Sequence, residues 1–314
     1  MAKGMVWFRE QREAMEEWEF LEKIERVDKD LSEKGVKIHA RPFHAFHLLA
    51  PDYEGPVLGS GVDRADYPPF VGPNLLHKVS DWYQDRYGDR VNMPSDRGRV
   101  PVVVRGEVYL LRVPLVFGNV RVPILRFVEG LTESMADALT ESELNAIRRA
   151  WEAGFSLTYE IEDLSQELEK GKVSVTETTQ NMLQSAIGDR DTAAQCLSGR
   201  LDTNGACFHA QQHAEKMLKV YLLVKNLSTE LQLSRSPYGH DLKRILKLCS
   251  TTSGDFLALS SDIGLLSNIP MDIRYTVRKV DSPVAVETVW AALRVGGFCA
   301  CRMLEQPRRY RVHS

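Results

Sequence analysis

The 314-residue sequence has no Cys-x-x-Cys pair, and its five cysteines all lie in the C-terminal half. An odd number of cysteines within apolar helical patterns is typical of small buried side chains in a reducing compartment, not of a disulfide framework or a zinc site. The sequence also has no uninterrupted run of about 18 apolar residues and no basic-then-apolar leader. We therefore expect a soluble, cytoplasmic protein with no membrane partner.

The common motifs for phosphates and nucleophiles are missing as well. We find no P-loop, no GxGxxG fingerprint, no GxSxG elbow and no internal repeat. These absences argue against P-loop nucleotide hydrolases, Rossmann-type dehydrogenases and α/β-hydrolases. We expect no cofactor and no bound metal.

Charge is distributed unevenly along the chain, although the net charge is only −3. Residues 1–173 carry 23 Lys and Arg against 30 Asp and Glu, whereas residues 174–314 carry 17 against 13. A modest positive balance permits an anionic partner such as a nucleotide or RNA, but it is smaller than that of a dedicated nucleic-acid-binding protein.

The pattern of residues 1–173 predicts an α+β region with a small antiparallel sheet. The proline-rich residues 39–73 predict an irregular segment, and Thr140 with Glu143 three residues later predicts a capping box. The predicted elements are a long helix from Val6 to Glu33 ended by Gly35, a helix from Asn74 to Tyr87, three strands (Val100–Val104, Glu107–Phe117 and Val120–Phe127) and a helix from Thr140 to Leu168.

Residues 174–314 predict an all-α bundle, so the protein as a whole is α+β with two domains divided near residue 173. Four helices are predicted: residues 176–197, residues 204–224, one beginning near His240 and one beginning at Pro283 with Ser282 as its N-cap. The second helix has the clearest buried stripe, formed by Ala210, Ala214, Met217, Leu218, Tyr221 and Leu222.

Three strings in the C-terminal part occur in a recognisable order. They are "FHAQQHAEKMLK" beginning at Phe208, "HDL" beginning at His240, and an Arg-Tyr pair at Arg274 and Tyr275. Because these three strings occur in this order, residues 175–304 resemble the HEPN domain, a bundle of four or five helices. In the first string, both the polar residues and the spacing of the apolar residues match the family pattern. No family is recognised in the first 173 residues.

The resemblance implies one of two kinds of function. Some HEPN domains are metal-independent ribonucleases with an Arg-x4–6-His motif near the start of the final helix, and others bind nucleotides or assemble with partners. Here no histidine follows Arg274 and Arg278 until His313 at the extreme C-terminus. The spacing occurs elsewhere, from Arg235 to His240 and from Arg308 to His313. We therefore expect a binding protein, with a ribonuclease that uses a non-standard Arg/His site as the alternative.

The matched polar residues are the candidate ligand-binding site, and no catalytic residue is assigned. The competing interpretation is a set of ordinary helix-surface pairs, with Asp241 serving as a helix cap. The candidates are His209, Gln212, Glu215, Lys216, His240, Asp241, Arg274, Tyr275 and Arg278.

His209 and His213 are four residues apart on one helix, which is the spacing of a two-histidine metal site. The favoured interpretation is structural. In this interpretation His209 is partly buried and bonded to a neighbouring helix, and His213 is exposed.

The leading hypothesis is a HEPN protein that dimerises through its bundle and binds a nucleotide, RNA or a protein partner, such as a nucleotidyltransferase-like protein. The resemblance suggests a bacterial defence or toxin–antitoxin setting. A second alternative is a structural assembly subunit, in which the long charged N-terminal helix docks on another protein.

Overall fold

The structure is a computed structural model, and it describes residues 15–53, 64–91, 96–116, 122–171, 175–199, 201–270, 272–273 and 279–305. The chain divides into two compact units, residues 1–95 and 96–314. This division differs from the boundary expected near residue 173. The reason is physical: the hairpin and the long helix that precede residue 173 pack against the C-terminal helices.

The described residues of the first unit form three α-helices, α1 (Glu17–Glu33), α2 (Arg41–Leu49) and α3 (Gly72–Tyr87). Helix α1 ends where predicted, before Gly35 with its positive φ of 72°. It begins at Glu17, and Met15 and Glu16 are not helical, so the prediction of one continuous helix from Val6 is wrong; residues 1–14 lie outside the described residues. Helix α2 corrects the prediction that residues 39–73 are irregular. Pro42 lies in its first turn, where a missing N–H costs nothing, so this proline begins a helix rather than preventing one.

A buried charged pair joins the three helices of the first unit around their apolar core. Arg41 Nη1 lies 3.2 Å from Asp28 Oδ1, and Tyr87 donates its hydroxyl to Asp28 Oδ2 at 2.5 Å. Arg41 Nε also donates to the carbonyl of Val36 at 2.8 Å. The core residues are Phe20, Ile24, Leu31, Ala45, Phe46, Leu75, Leu76, Val79 and Tyr83.

The second unit begins with a β-hairpin formed by β1 (Asp96–Val104) and β2 (Glu107–Pro114). Arg105 and Gly106 both have positive φ, 53° and 81°, as a type I′ turn requires. The predicted third strand is wrong over the described residues, because Ile124–Phe127 form a 3₁₀ turn and only Val128 bridges to Leu111.

Eight further helices follow in the described part of the second unit. They are α4 (Glu133–Asp137), α5 (Glu141–Glu169), α6 (Glu177–Cys196), α7 (Thr203–Val224), α8 (Glu230–Ser234), α9 (Leu242–Ser250), α10 (Ser260–Ser267) and α11 (Ser282–Leu304). The capping box predicted at Thr140 and Glu143 is confirmed. The N-cap predicted at Ser282 is wrong by one residue, since the cap position is Asp281.

Helices α6, α7, α11 and α5 form the core of this unit, and α5 also packs on β1. The predicted stripe of α7 is confirmed, because all six of its residues are buried. The indole N–H of Trp290 on α11 donates to the carbonyl of Pro101 at 3.0 Å, which ties the bundle to the edge of the hairpin.

The five cysteines are free thiols, and Cys207, Cys249 and Cys299 are buried. Burial raises the pKa of Cys207 to about 11 and that of Cys249 to about 12, so both remain protonated at neutral pH. By length and composition α11 could cross a membrane, but 67% of its most apolar stretch is buried inside the protein, as in a core helix.

The contact between α5 and β1 depends on Gly154. A Cβ placed there would lie 2.6 Å from Val100 Cγ2 and 2.8 Å from Val100 Cγ1, both in a side chain that is fully buried. We predict that Gly154→Ala lowers the free energy of unfolding by about 1–3 kcal/mol, because overpacking a tight core forces neighbours to move.

Gly188 is the matched control. It is exposed on α6, and a Cβ there would meet no atom within 4 Å. Gly188→Ala should therefore raise stability by about 0.5–1 kcal/mol through helix propensity. Chemical denaturation of the two variants should give shifts of opposite sign, and equal shifts would contradict the packing argument.

Candidate functional site

Helix α7 carries most of the candidate residues, and it is buried along nearly its whole length between α6 and α11. Small side chains such as Ala206, Ala210 and Ala214 allow neighbouring helices to approach closely. The polar side chains of α7 are therefore held at helix interfaces, where a hydrogen-bond partner is required.

The first polar group joins α7 to α6 through Asp189. His209 Nδ1 lies 2.9 Å from Asp189 Oδ1, and the Lys216 ammonium pairs with Asp189 Oδ2 and donates to Ser185 Oγ at 2.9 Å. The side chains of His209 and Lys216 are only about one-quarter exposed, at 26% and 25%. The structure thus brings two candidates together, but around a carboxylate that was not predicted.

The second polar group joins α7 to the segment before α9. The buried carboxylate of Glu215 accepts from Lys219 Nζ at 2.8 Å and lies 3.0 Å from His240 Nδ1. Lys219 also donates to the carbonyl of Gly239 at 2.6 Å. His240 itself is 63% exposed, so a buried carboxylate orients a histidine at the surface.

Asp241 is the N-cap of α9 and accepts from the Arg244 backbone N–H at 3.1 Å. The capping interpretation of this residue is confirmed. Its carboxylate also lies 3.1 Å from the Arg244 guanidinium, and both side chains are substantially exposed.

Of the two adjacent glutamines, Gln211 has the clearer structural role. Its amide nitrogen donates to the carbonyls of Leu266 and Ile269, at 3.1 and 3.2 Å, and so holds the end of α10. The buried amide nitrogen of the predicted candidate, Gln212, has no hydrogen-bond partner among the described residues.

Arg274, Tyr275 and Arg278 lie outside the described residues, so their predicted roles stay predictions. The residues on either side of them are anchored by α7. Asn204 donates its side-chain amide to the carbonyl of Ile273 at 3.1 Å and accepts from the Val280 N–H at 3.0 Å.

The predicted exposure of His213 is wrong, because its side chain is completely buried. Its Nδ1 lies 2.8 Å from the carbonyl oxygen of Ala186, and its Nε2 faces α11 next to Gly296. His209, by contrast, is partly buried and bonded to α6 as expected. His213 Nε2 is enclosed next to Gly296 of α11, whereas His209 lies in the partly exposed α6–α7 interface; among the described residues, no group of three His, Cys, Asp or Glu side chains is placed to hold a metal.

Sequence reasoning missed the charged run Asp189-Arg190-Asp191 in the middle of α6. Arg190 is 3% exposed, donates to the carbonyl of Arg97 at 2.8 Å and pairs with Glu162 at 3.1 Å. Three consecutive charges inside an otherwise mixed helix were the available signal, since such charges must be exposed or paired.

The exposed positive charge of the site lies on helix α9. Leu242, Ile245, Leu246 and Cys249 are buried, which leaves Lys243, Arg244 and Lys247 on the outer side. We call these three residues the α9 basic face. Lys243 and Lys247 form no ion pair with any described residue.

The fold and site define a helical bundle with polar α6–α7 and α7–α9 interfaces. The family model of the HEPN domain matches residues 179–295, which include all nine candidate residues. The C-terminal region of this protein is therefore a HEPN domain, and the N-terminal region has no family match. No curated protein and no solved structure matches the chain.

Burial lowers the pKa of His213 to about 4, whereas a histidine in an unfolded chain titrates near 6.5. Between these values the unfolded state binds a proton that the folded state does not, so stability should fall as the pH drops from about 6.5 towards 4.

The test is to compare the free energy of unfolding of the native protein and His213→Gln across this range. Their difference should shrink as the pH falls, because the variant has no imidazole to protonate at this position. A difference that stays constant from pH 7.5 to pH 4.5 would contradict a buried neutral His213.

Proposed function

We propose that this protein binds RNA through the α9 basic face of its HEPN domain, without cleaving it. The observation that carries the proposal is that some lysines of the domain pair with carboxylates and others do not. Lys216 and Lys219 are held by Asp189 and Glu215, whereas Lys243 and Lys247 are exposed with no carboxylate partner among the described residues.

An anion favours the exposed lysines for an electrostatic reason. A ligand phosphate at Lys216 or Lys219 would have to displace a partly or fully buried carboxylate, which would then lose its counter-ion. A phosphate at Lys243 or Lys247 displaces only water and mobile counter-ions, and the release of those counter-ions favours binding.

RNA fits this face better than a free nucleotide does. The three cations extend along about 6 Å of the outer side of a helix, a row that adjacent phosphates of one strand can contact. A nucleotide pocket is usually concave and encloses the base, whereas these side chains project from the outer side of α9. His240 adds a further polar group at the beginning of the same helix.

The cellular setting follows from the family alone. HEPN proteins are often nucleases or members of toxin–antitoxin systems, and a defence role is part of our proposal. Homodimerisation, a nucleotidyltransferase-like partner and a cytoplasmic location stay predictions from the resemblance and the composition.

We predict that Lys243→Glu/Lys247→Glu lowers the affinity for a 20-nucleotide labelled RNA by at least about tenfold. The slope of log affinity against log salt should fall by about 0.7 for each cation that contacts a phosphate. Fluorescence polarisation over a salt series measures both quantities.

Arg148→Glu/Arg149→Glu is the matched control, because it makes the same charge change on the exposed surface of α5. It should retain most of the affinity. Equal losses in the two double variants would indicate a net-charge effect and overturn the assignment to α9. If the protein binds ATP tightly and does not bind RNA, the ligand in our proposal becomes a nucleotide and not RNA.

A second candidate function, a ribonuclease with a non-standard site, has one observation in its favour. Glu215 orients the exposed His240, as carboxylates orient the histidines that act as general bases. Arg235, five residues before it, is exposed. A general base there would take the 2′-hydroxyl proton while the 2′ oxygen attacks the adjacent phosphorus and the 5′ oxygen leaves.

RNA incubated with highly purified protein in EDTA separates the two candidates. Our binding proposal predicts intact RNA. The ribonuclease instead predicts cleavage that falls at least about a hundredfold in His240→Ala and also in Arg235→Ala, with His209→Ala as the histidine control. Cleavage that survives in His240→Ala would indicate a contaminant or another site.

A further inference from the structure

Two arginines lie directly opposite each other on the β1–β2 hairpin. Arg99 on β1 is the ladder partner of Arg112 on β2. Like charges at directly opposite positions destabilise a two-stranded ladder. The hairpin therefore carries a local excess of positive charge that its neighbours must balance.

The two guanidinium groups differ in how far nearby carboxylates neutralise their positive charge. Arg99 Nε lies 2.7 Å from Glu129 Oε1, and Arg99 Nη2 lies 3.6 Å from Asp96 Oδ2. Its hydrogen bond with Glu129 raises the pKa of Arg99, against the opposing effect of burial. The charge on Arg99 is thus compensated within the protein.

Arg112 has no carboxylate partner among the described residues. Its guanidinium lies 5.5 Å from the ring centroid of Phe127, and its Nη2 donates to the carbonyl of Arg126 at 3.3 Å. A ring and a carbonyl hold the position of the guanidinium without neutralising it. Arg126 is exposed and likewise forms no ion pair with a described residue.

We propose that Arg112 and Arg126 form a phosphate-binding site, which we call the hairpin arginine site. A guanidinium offers several N–H donors in one plane, and this arrangement matches two oxygens of a phosphate. Phe127 fixes the plane of Arg112, so less conformational freedom is lost when the anion binds.

This site is distinct from the α9 basic face. Its residues precede the HEPN match at residues 179–295, so the family does not imply it. Its ligand is a phosphate group, which either an RNA strand or a free polyphosphate such as a nucleotide could supply. The proposal does not depend on binding at α9, and the two can fail separately.

The experiment uses the full-length protein and two probes, sodium tripolyphosphate by calorimetry and the labelled 20-nucleotide RNA by polarisation. The variants are Arg112→Gln, Arg112→Lys and the charge control Arg149→Gln on α5. We expect Arg112→Gln to weaken tripolyphosphate binding about fivefold to twentyfold, on the scale of one charge-assisted contact. Arg112→Lys should retain part of the affinity because it keeps the charge, and Arg149→Gln should match the native protein.

The RNA measurement identifies the source of the phosphate. A parallel loss of RNA affinity, with a salt slope lower by about 0.7, supports an RNA strand. A loss confined to tripolyphosphate supports a free polyphosphate. A merely structural role for Arg112 would change the unfolding midpoint without changing the salt slope.

The hairpin arginine site is overturned if Arg112→Gln binds both probes as the native protein does, or if the native protein binds neither. RNA binding that is lost only in the α9 double variant also overturns it as an RNA contact and leaves the proposed function intact. RNA binding that is lost only in Arg112→Gln supports the hairpin arginine site as an RNA contact and overturns the assignment of RNA binding to the α9 basic face.

Discussion

The burial of α7 is the constraint on which the rest of the bundle depends. A helix that is covered by α6 on one side and α11 on another cannot leave its polar side chains to water. Each of them must find a partner inside the protein or carry the cost of an unpaired buried group. The carboxylate of Asp189 serves two such residues, His209 and Lys216, and this sharing sets how α6 lies along α7.

The same constraint positions segments far from α7 in the sequence. Lys219 reaches the carbonyl of Gly239, Gln211 reaches the end of α10, and Asn204 holds both Ile273 and Val280. One helix thus determines where three connections of the domain run. The polar string that resembles the family pattern is, in this structure, largely the means by which the bundle is held together. A residue can therefore belong to a family pattern because it supports the fold.

Local rules predicted the parts of this protein that depend on neighbours in sequence. The apolar stripe of α7, the capping box at Thr140 and the cap at Asp241 follow from helical spacing and from the hydrogen-bonding needs of a helix end. Helix α2 was missed because the many prolines of residues 39–73 predict a loop until Pro42 is placed in a first turn.

The candidate site was less accessible to sequence reasoning, because its geometry depends on tertiary partners. Residue type and spacing identified His209 and Lys216 but gave no sign that Asp189 would occupy both. They also placed His213 at the surface, although α11 covers it with a glycine that leaves room for the imidazole. A helical pattern specifies which residues share a face, whereas the neighbouring helix decides whether that face is solvated.

Our proposal of binding without cleavage agrees with the arrangement around Glu215 and His240. A histidine that accepts a proton during catalysis is stabilised by a carboxylate whose negative charge is directed at the new imidazolium. In this protein the carboxylate of Glu215 already accepts from Lys219 through Oε1, and Lys219 is 10% exposed and brings its own full positive charge. Lys219 therefore neutralises much of the negative charge that Glu215 directs at the imidazole ring. What remains is orientation: Glu215 fixes the imidazole ring at the surface beside the α9 basic face, and a fixed polar ring next to exposed cations suits the recognition of an anionic strand better than the transfer of its protons.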